Sequence, residues 1–243
     1  MFGLPKTTEF NKKIPKQKFY EKLDITPALK RVFVEQIKAI YWTNKIAAST
    51  VNLDVGKSVT ELEVFKIELT SQSLDLSALQ LIDKAIPYHI IFALCYNDRY
   101  QLVSSYKATT HLDEPPKRKL LGELSSDSET EGVLKKPQIL SSKSFFSTSW
   151  LPEPELQLPL NGLDLDSVYE AILRYIAGDE LKVKEGTHES LQQSVERAEQ
   201  RQKLMKQINK LQKKVNREVQ FSIQVELNAQ LKKLKCELEK LMT

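Results

Sequence analysis

The sequence predicts an α+β fold: a small mixed sheet with packed helices, followed by a long C-terminal coiled-coil-type helix. Three observations carry this. Residues 59–69 and 88–107 are rich in Val, Ile, Phe and Tyr and read as strands. Residues 26–44, 76–84 and 164–177 place apolar side chains three and four apart, as one helix face requires. From His188 to Thr243 there is neither Gly nor Pro, and Leu204, Ile208, Leu211, Val215, Val219, Ile223, Leu227, Leu231, Leu234, Leu238 and Leu241 recur every three or four residues.

Residues 1–25 form a basic arm. Lys6, Lys12, Lys13, Lys16, Lys18 and Lys22 alternate with Phe10, Ile14, Phe19 and Tyr20, while Pro5 and Pro15 interrupt any continuous helix. The apolar residues predict an extended arm that packs on the body, with a short helical turn after Pro15. An α+β domain then spans 26–187. Thr26-Pro27 supplies an N-cap and a first-turn proline for a helix expected to reach Asn44, with Leu29, Val32, Phe33, Ile37, Ile40 and Tyr41 on one face.

The strand at 59–69 changes its apolar phase between Val64 and Phe65, which predicts a bulge or burial on both faces. A helix over Leu76–Lys84 is closed by Pro87. Tyr88–Tyr96 and Tyr100–Lys107 flank Asn97-Asp98-Arg99 as a hairpin. Residues 109–143, with Pro115-Pro116, a Lys-Arg-Lys run and an acidic Ser-rich stretch, read as a flexible insertion. A short strand near Ser144–Leu151 and a helix capped by Asp164 or Asp166 and ended by Gly178 complete the domain.

The last segment, 188–243, reads as one long helix of about 50 residues, which at 1.5 Å per residue is about 75 Å. A run of fourfold spacings in its middle is a stutter in the heptads. Its single apolar stripe demands a partner helix. Val219, Phe221, Ile223, Val225 and Leu227 also alternate as a strand would, so a strand is the competing reading there.

Composition excludes several functions. Gly supplies 7 of 243 residues, which argues against a Gly-rich phosphate-binding enzyme. Gly56-Lys57-Ser58 lacks both the first glycine of a phosphate loop and a following helix, so no phosphate cradle is expected. His89, His111 and His188 are scattered, Cys95 and Cys236 have no metal-ligand spacing, and no Gly-x-Ser-x-Gly elbow exists. No cofactor or metal is expected. The start carries no secretory signal and no apolar run reaches membrane-spanning length, so a cytoplasmic protein with reduced thiols is expected.

The net charge of +4 is unevenly spread. Residues 1–50 hold ten Lys and Arg against four Asp and Glu, and residues 188–243 hold twelve against seven, whereas the middle is acidic. The basic arm, through Lys12, Lys13, Lys16, Lys18 and also Lys45, is therefore a candidate DNA contact. Glu61, Glu63 and Lys66 are the candidate catalytic set, because carboxylates near a Lys on one strand are what a Mg²⁺-dependent nuclease uses. The Glu63-x-x-Lys66 spacing puts the two on opposite faces of a regular strand, so this alternative needs a bulge.

The stretches IPKQKFYEKL, LKRVFVEQIKAIYWTNKI, TELEVF, IDKAIPYHIIF, SSYK and REVQFSIQVELNAQLKKLKCELEKL together resemble a prokaryotic domain-of-unknown-function family. The resemblance covers the chain outside 109–143, and its most specific part is Glu218-x-Gln220-Phe221 with Val225-x-Leu227-Asn228. Members of that family are encoded beside helicases and DNA methyltransferases in restriction-like, anti-phage gene clusters. The resemblance thus implies a partner that is a helicase or a DNA methyltransferase of the same cluster, with self-association as the other possibility. The expected function is a non-catalytic accessory subunit docking through the C-terminal helix. Phe221, Val225, Leu227, Leu231, Leu234 and Leu238 are the expected anchors, and Asn228 would fix register. A Mg²⁺-dependent nuclease effector and a DNA-binding module are the alternatives.

Overall fold

A computed structural model describes residues 1–21, 25–108, 140–183 and 188–242. The chain divides into two compact units, Met1–Gly178 and Asp179–Thr243. Of the insertion expected at 109–143, residues 109–139 lie outside the described residues, and so do Lys22 and His111.

The first unit is built on a seven-stranded sheet. In chain order the elements are β1 (Glu9–Ile14), α1 (Gln17–Glu21), α2 (Pro27–Glu35), β2 (Ile37–Ala47), α3 (Ala48–Val51), β3 (Glu61–Leu69), α4 (Ser77–Ala85), β4 (His89–Tyr96), β5 (Arg99–Ala108), β6 (Leu140–Ser147), β7 (Leu151–Pro152) and α5 (Leu165–Ala177). Strands β1 to β6 lie side by side in sequence order, and β7 continues along β5 past the end of β6. Every pairing is antiparallel except β3 with β4, which α4 joins as a crossover. The N-terminal arm adds β1 to the edge of the sheet. Asn11, at φ +47°, bulges it, and its lysines discourage a further strand from joining.

The helix expected over 26–44 stops at Glu35. Thr26 caps it and Pro27 opens it as expected, but Ile37–Ala47 is strand β2. Two bulges explain the misleading spacing. Register shifts at Lys38 and Thr43 advance the apolar phase by one residue each, so a doubly buried strand imitates threefold spacing. β3, by contrast, pairs with β4 without interruption from Leu62 to Glu68 and is buried on both faces, the second of the two expectations for it. The hairpin turn is Asn97-Asp98, both residues in the left-handed region at φ 47° and 57°, the geometry a two-residue β-hairpin needs.

One face of the sheet carries α1, α2 and α4, whose Phe19, Phe33, Leu79 and Ile82 join Ile40, Trp42, Phe65, Ile67 and Phe92 in one core. On the other face Ile46, Leu62, Val64, Ile91 and Leu102 are buried outside that core, and α5 lies against β5 and β6. Asp164 caps α5 by accepting from the Ser167 amide at 2.8 Å, and Gly178 ends it at φ +53°.

The second unit holds α6 (Leu191–Val215) and α7 (Phe221–Met242). The long C-terminal helix is thus two helices. They run antiparallel, because Leu241 lines the same recess as His188, Gln193 and Arg197 at the start of α6. Ser190 opens α6 with a capping box closed by Gln193. The break needs no Gly or Pro. The amide of Asn216 bonds back to Gln212, and the Glu218 carboxylate accepts from the amides of Val219 and Gln220 at 3.1 and 2.9 Å. Folding back lets Leu204, Ile208, Leu211 and Val215 cover Leu227, Leu231, Leu234 and Leu238, which one straight helix could not do without a second chain. The stretch 219–227 is helical from Phe221, so the competing strand reading fails.

Candidate functional site

The two carboxylates singled out on β3 share a face. Glu61 and Glu63 are two residues apart, and Lys45 stands directly opposite Glu63 on β2. The Lys45 ammonium lies 3.0 Å from the Glu61 carboxylate. Glu63 is 0% exposed, and neither carboxylate oxygen has a hydrogen-bond partner. The neighbouring Trp42 indole N–H is spent on the Asn44 carbonyl at 3.1 Å. Burial pushes the Glu63 carboxyl up to about 9, the nearby Glu61 charge adds to this, and Lys45 opposes it. Lys66 does not join the group. It points to the opposite face of the unbulged strand, 3.1 Å from Glu68 and against the rings of Tyr41 and Tyr100.

The basic residues fare differently from one another. Lys12 and Lys13 pair with Trp42 and Tyr41 on β2 and so face opposite sides of the sheet. Lys16 donates to the Val34 and Ile37 carbonyls at 3.2 and 2.5 Å, closing the end of α2, and burial lowers its pKa. Lys18 sits on α1, half-buried, and Lys45 is held by Glu61.

On the hairpin the expected anchors separate into two sets. Leu231 is 5% exposed, and Leu227, Leu234 and Leu238 are half-buried. Phe221 and Val225 face solvent at 78% and 51%, beside Val219 at 95%. Asn228 is exposed and donates to the Gln224 carbonyl of its own helix at 3.0 Å. At the other end His188, Glu189, Gln193, Glu196, Arg197, Gln200 and Leu241 line a shallow recess, within which Arg197 holds Glu189 at 2.7 Å.

Two further polar arrangements escaped the sequence reading. Lys107, 3% exposed, lies 3.0 Å from Asp83 and donates to the carbonyls of Asp83, Ile86 and Tyr88 at 2.8, 3.0 and 2.6 Å. It thereby satisfies the C-terminal carbonyls of α4. Burial pulls its pKa down while Asp83 holds it up. Ser105 donates to Asp83 at 2.7 Å, and the Tyr169 hydroxyl bridges the Ser105 carbonyl and the Lys107 amide. His89 stacks on Tyr169 at 4.3 Å and sits 3.3 Å from the Lys107 carbonyl. The second arrangement is at Gly56-Lys57-Ser58. Its amides do gather around an anion, but the anion is the Asp166 carboxylate of α5. Single lysines and aspartates far apart in sequence leave no local pattern that would have announced either arrangement.

Among the described residues no group of three or more His, Cys, Asp or Glu gathers as metal ligands, and no helix is long and apolar enough to cross a membrane. A family model described as a domain of unknown function, DUF4391, matches residues 2–127 and 134–238. No curated protein and no solved structure matches.

Proposed function

From the premise that this chain belongs to the DUF4391 family, we propose that it is a non-catalytic accessory subunit of a DNA-processing, restriction-like system in the cytoplasm, docking through its C-terminal helical hairpin. The observation that carries this is the tip of that hairpin. Val219, Phe221 and Val225 stand in solvent at 95, 78 and 51% exposure, although the same unit could have buried them in its leucine seam. Large apolar side chains clustered at a helix start are the anchors by which an amphipathic helix enters a groove. The unit around them is basic, so the groove that fits it is apolar with an acidic rim.

The partner is a helicase or DNA methyltransferase of the same gene cluster. The test is co-purification of the full-length chain with each such protein, beside a Phe221→Asp/Val225→Asp variant. Stoichiometric recovery that the variant loses supports the reading. Equal recovery with the variant, or no recovery of either enzyme, overturns it. A tip-dependent dimer in place of a complex would make the partner a second copy of the chain.

A further inference from the structure

We infer that Glu61 and Glu63 form a binding site for a divalent cation of the Mg²⁺ or Mn²⁺ type, entered past Glu61 and competed for by the Lys45 ammonium. This stands independently of the docking reading, because it concerns the sheet alone.

The argument starts from an imbalance. Two carboxylates share one face of β3, and one ammonium faces them from β2. Lys45 approaches Glu61 and leaves Glu63 with two oxygens that accept no hydrogen bond, in a position of 0% exposure. A buried carboxylate without a partner is among the most expensive arrangements a fold can contain, and a native chain that keeps one has a use for the vacant lone pairs. No donor on the neighbouring strands supplies them: Trp42 is committed to Asn44, and Ile90 faces Glu63 from β4. A hard cation does supply them.

The chemistry of the donor set chooses the class of ion. The ligands are carboxylate oxygens only, with no thiol or imidazole beside them, which favours Mg²⁺ or Mn²⁺ over zinc or copper. Two carboxylates suffice, because these ions keep several waters. Glu61 and Lys45 are only half-buried, so the pair opens to solvent on their side. Residues on adjacent registers of a central sheet are rigidly placed, which is what a site of few protein ligands needs.

The decisive experiment is a Mn²⁺ titration of the full-length chain, read by loss of the free-ion electron paramagnetic resonance signal. A single saturable site is expected. Glu63→Gln and Glu61→Gln should weaken it by about tenfold or more, whereas Glu68→Gln, on the opposite face, should leave it unchanged. Glu63→Gln keeps the side-chain shape and removes a buried charge, so it folds. Lys45→Met removes the competitor and should tighten binding, a gain that a damaged fold would not produce. Absence of a saturable site, binding indifferent to Glu63→Gln, or no tightening in Lys45→Met would each overturn the inference.

Discussion

The Asp166 carboxylate occupies the space in which a Cβ on Gly56 would have to sit, and from there it accepts from the backbone amides of Lys57, Ser58 and Val59 at 2.7, 3.1 and 2.7 Å. One carboxylate at the start of α5 thus closes the loop leading into β3. Asp166→Ala strands three amides, and Gly56→Ala drives the same carboxylate out of the same place. Each substitution should lower unfolding stability by about 1–3 kcal/mol. Because both break one arrangement, the double variant should lose little more than the worse single variant in denaturant titrations.

That loop also marks where the sequence was legible. Gly56-Lys57-Ser58 could be denied a phosphate site from its missing glycine and helix, but the anion it does hold comes from α5, far along the chain. Strands β4 and β5, their Asn97-Asp98 turn, and the caps at Thr26 and Asp164 were readable because their signals are local. The end of α2 was not, since the bulges at Lys38 and Thr43 gave β2 a helical spacing. The hairpin break was hidden because Asn216 and Glu218 end and restart the helix without Gly or Pro. Glu61 and Glu63 were visible as a pair on one face. What could not be seen was that Lys45, just past the bulge at Thr43, would be their neighbour rather than Lys66.

Lys107 and Asp83 test the cost of a buried pair. Lys107→Met leaves the Asp83 carboxylate without its ammonium and three carbonyls at the end of α4 without their donor. A loss of about 3–5 kcal/mol is expected, because a charge stays buried without compensation. Adding Asp83→Leu should recover part of it, since the stranded charge is then gone. Urea unfolding of the two single variants and the double variant measures the coupling. A double variant as unstable as the sum of the two singles would contradict this account.

His89 sets a pH dependence. Burial lowers its pKa from 6.5 to about 3, the Lys107 ammonium adds to this, and the contact with the Lys107 carbonyl opposes it. Between about 3 and 6.5 the unfolded chain therefore binds a proton that the folded chain refuses. Stability from this residue is complete above 6.5 and declines as the pH falls toward 3. Tyr169 stacks on the ring and carries no charge that would reverse the sign. Melting temperatures over that range should fall more steeply for the native chain than for His89→Gln, whose side chain does not titrate.

The hairpin separates residues that hold the unit together from residues that wait for a partner. Leu231, 5% exposed, is covered by the opposite helix, so Leu231→Ala should cost about 2 kcal/mol or more through the cavity and lost burial. Phe221, at 78% exposure, gives up almost nothing on truncation, and Phe221→Ser should change stability by no more than about 0.5 kcal/mol. Helicity followed through thermal unfolding of the full chain distinguishes the two. If Phe221→Ser were as destabilising as Leu231→Ala, the phenylalanine would already have a partner within the chain, and its exposure could no longer be used to argue for docking. If stability is untouched while binding to the partner is lost, the side chain is kept for the complex alone.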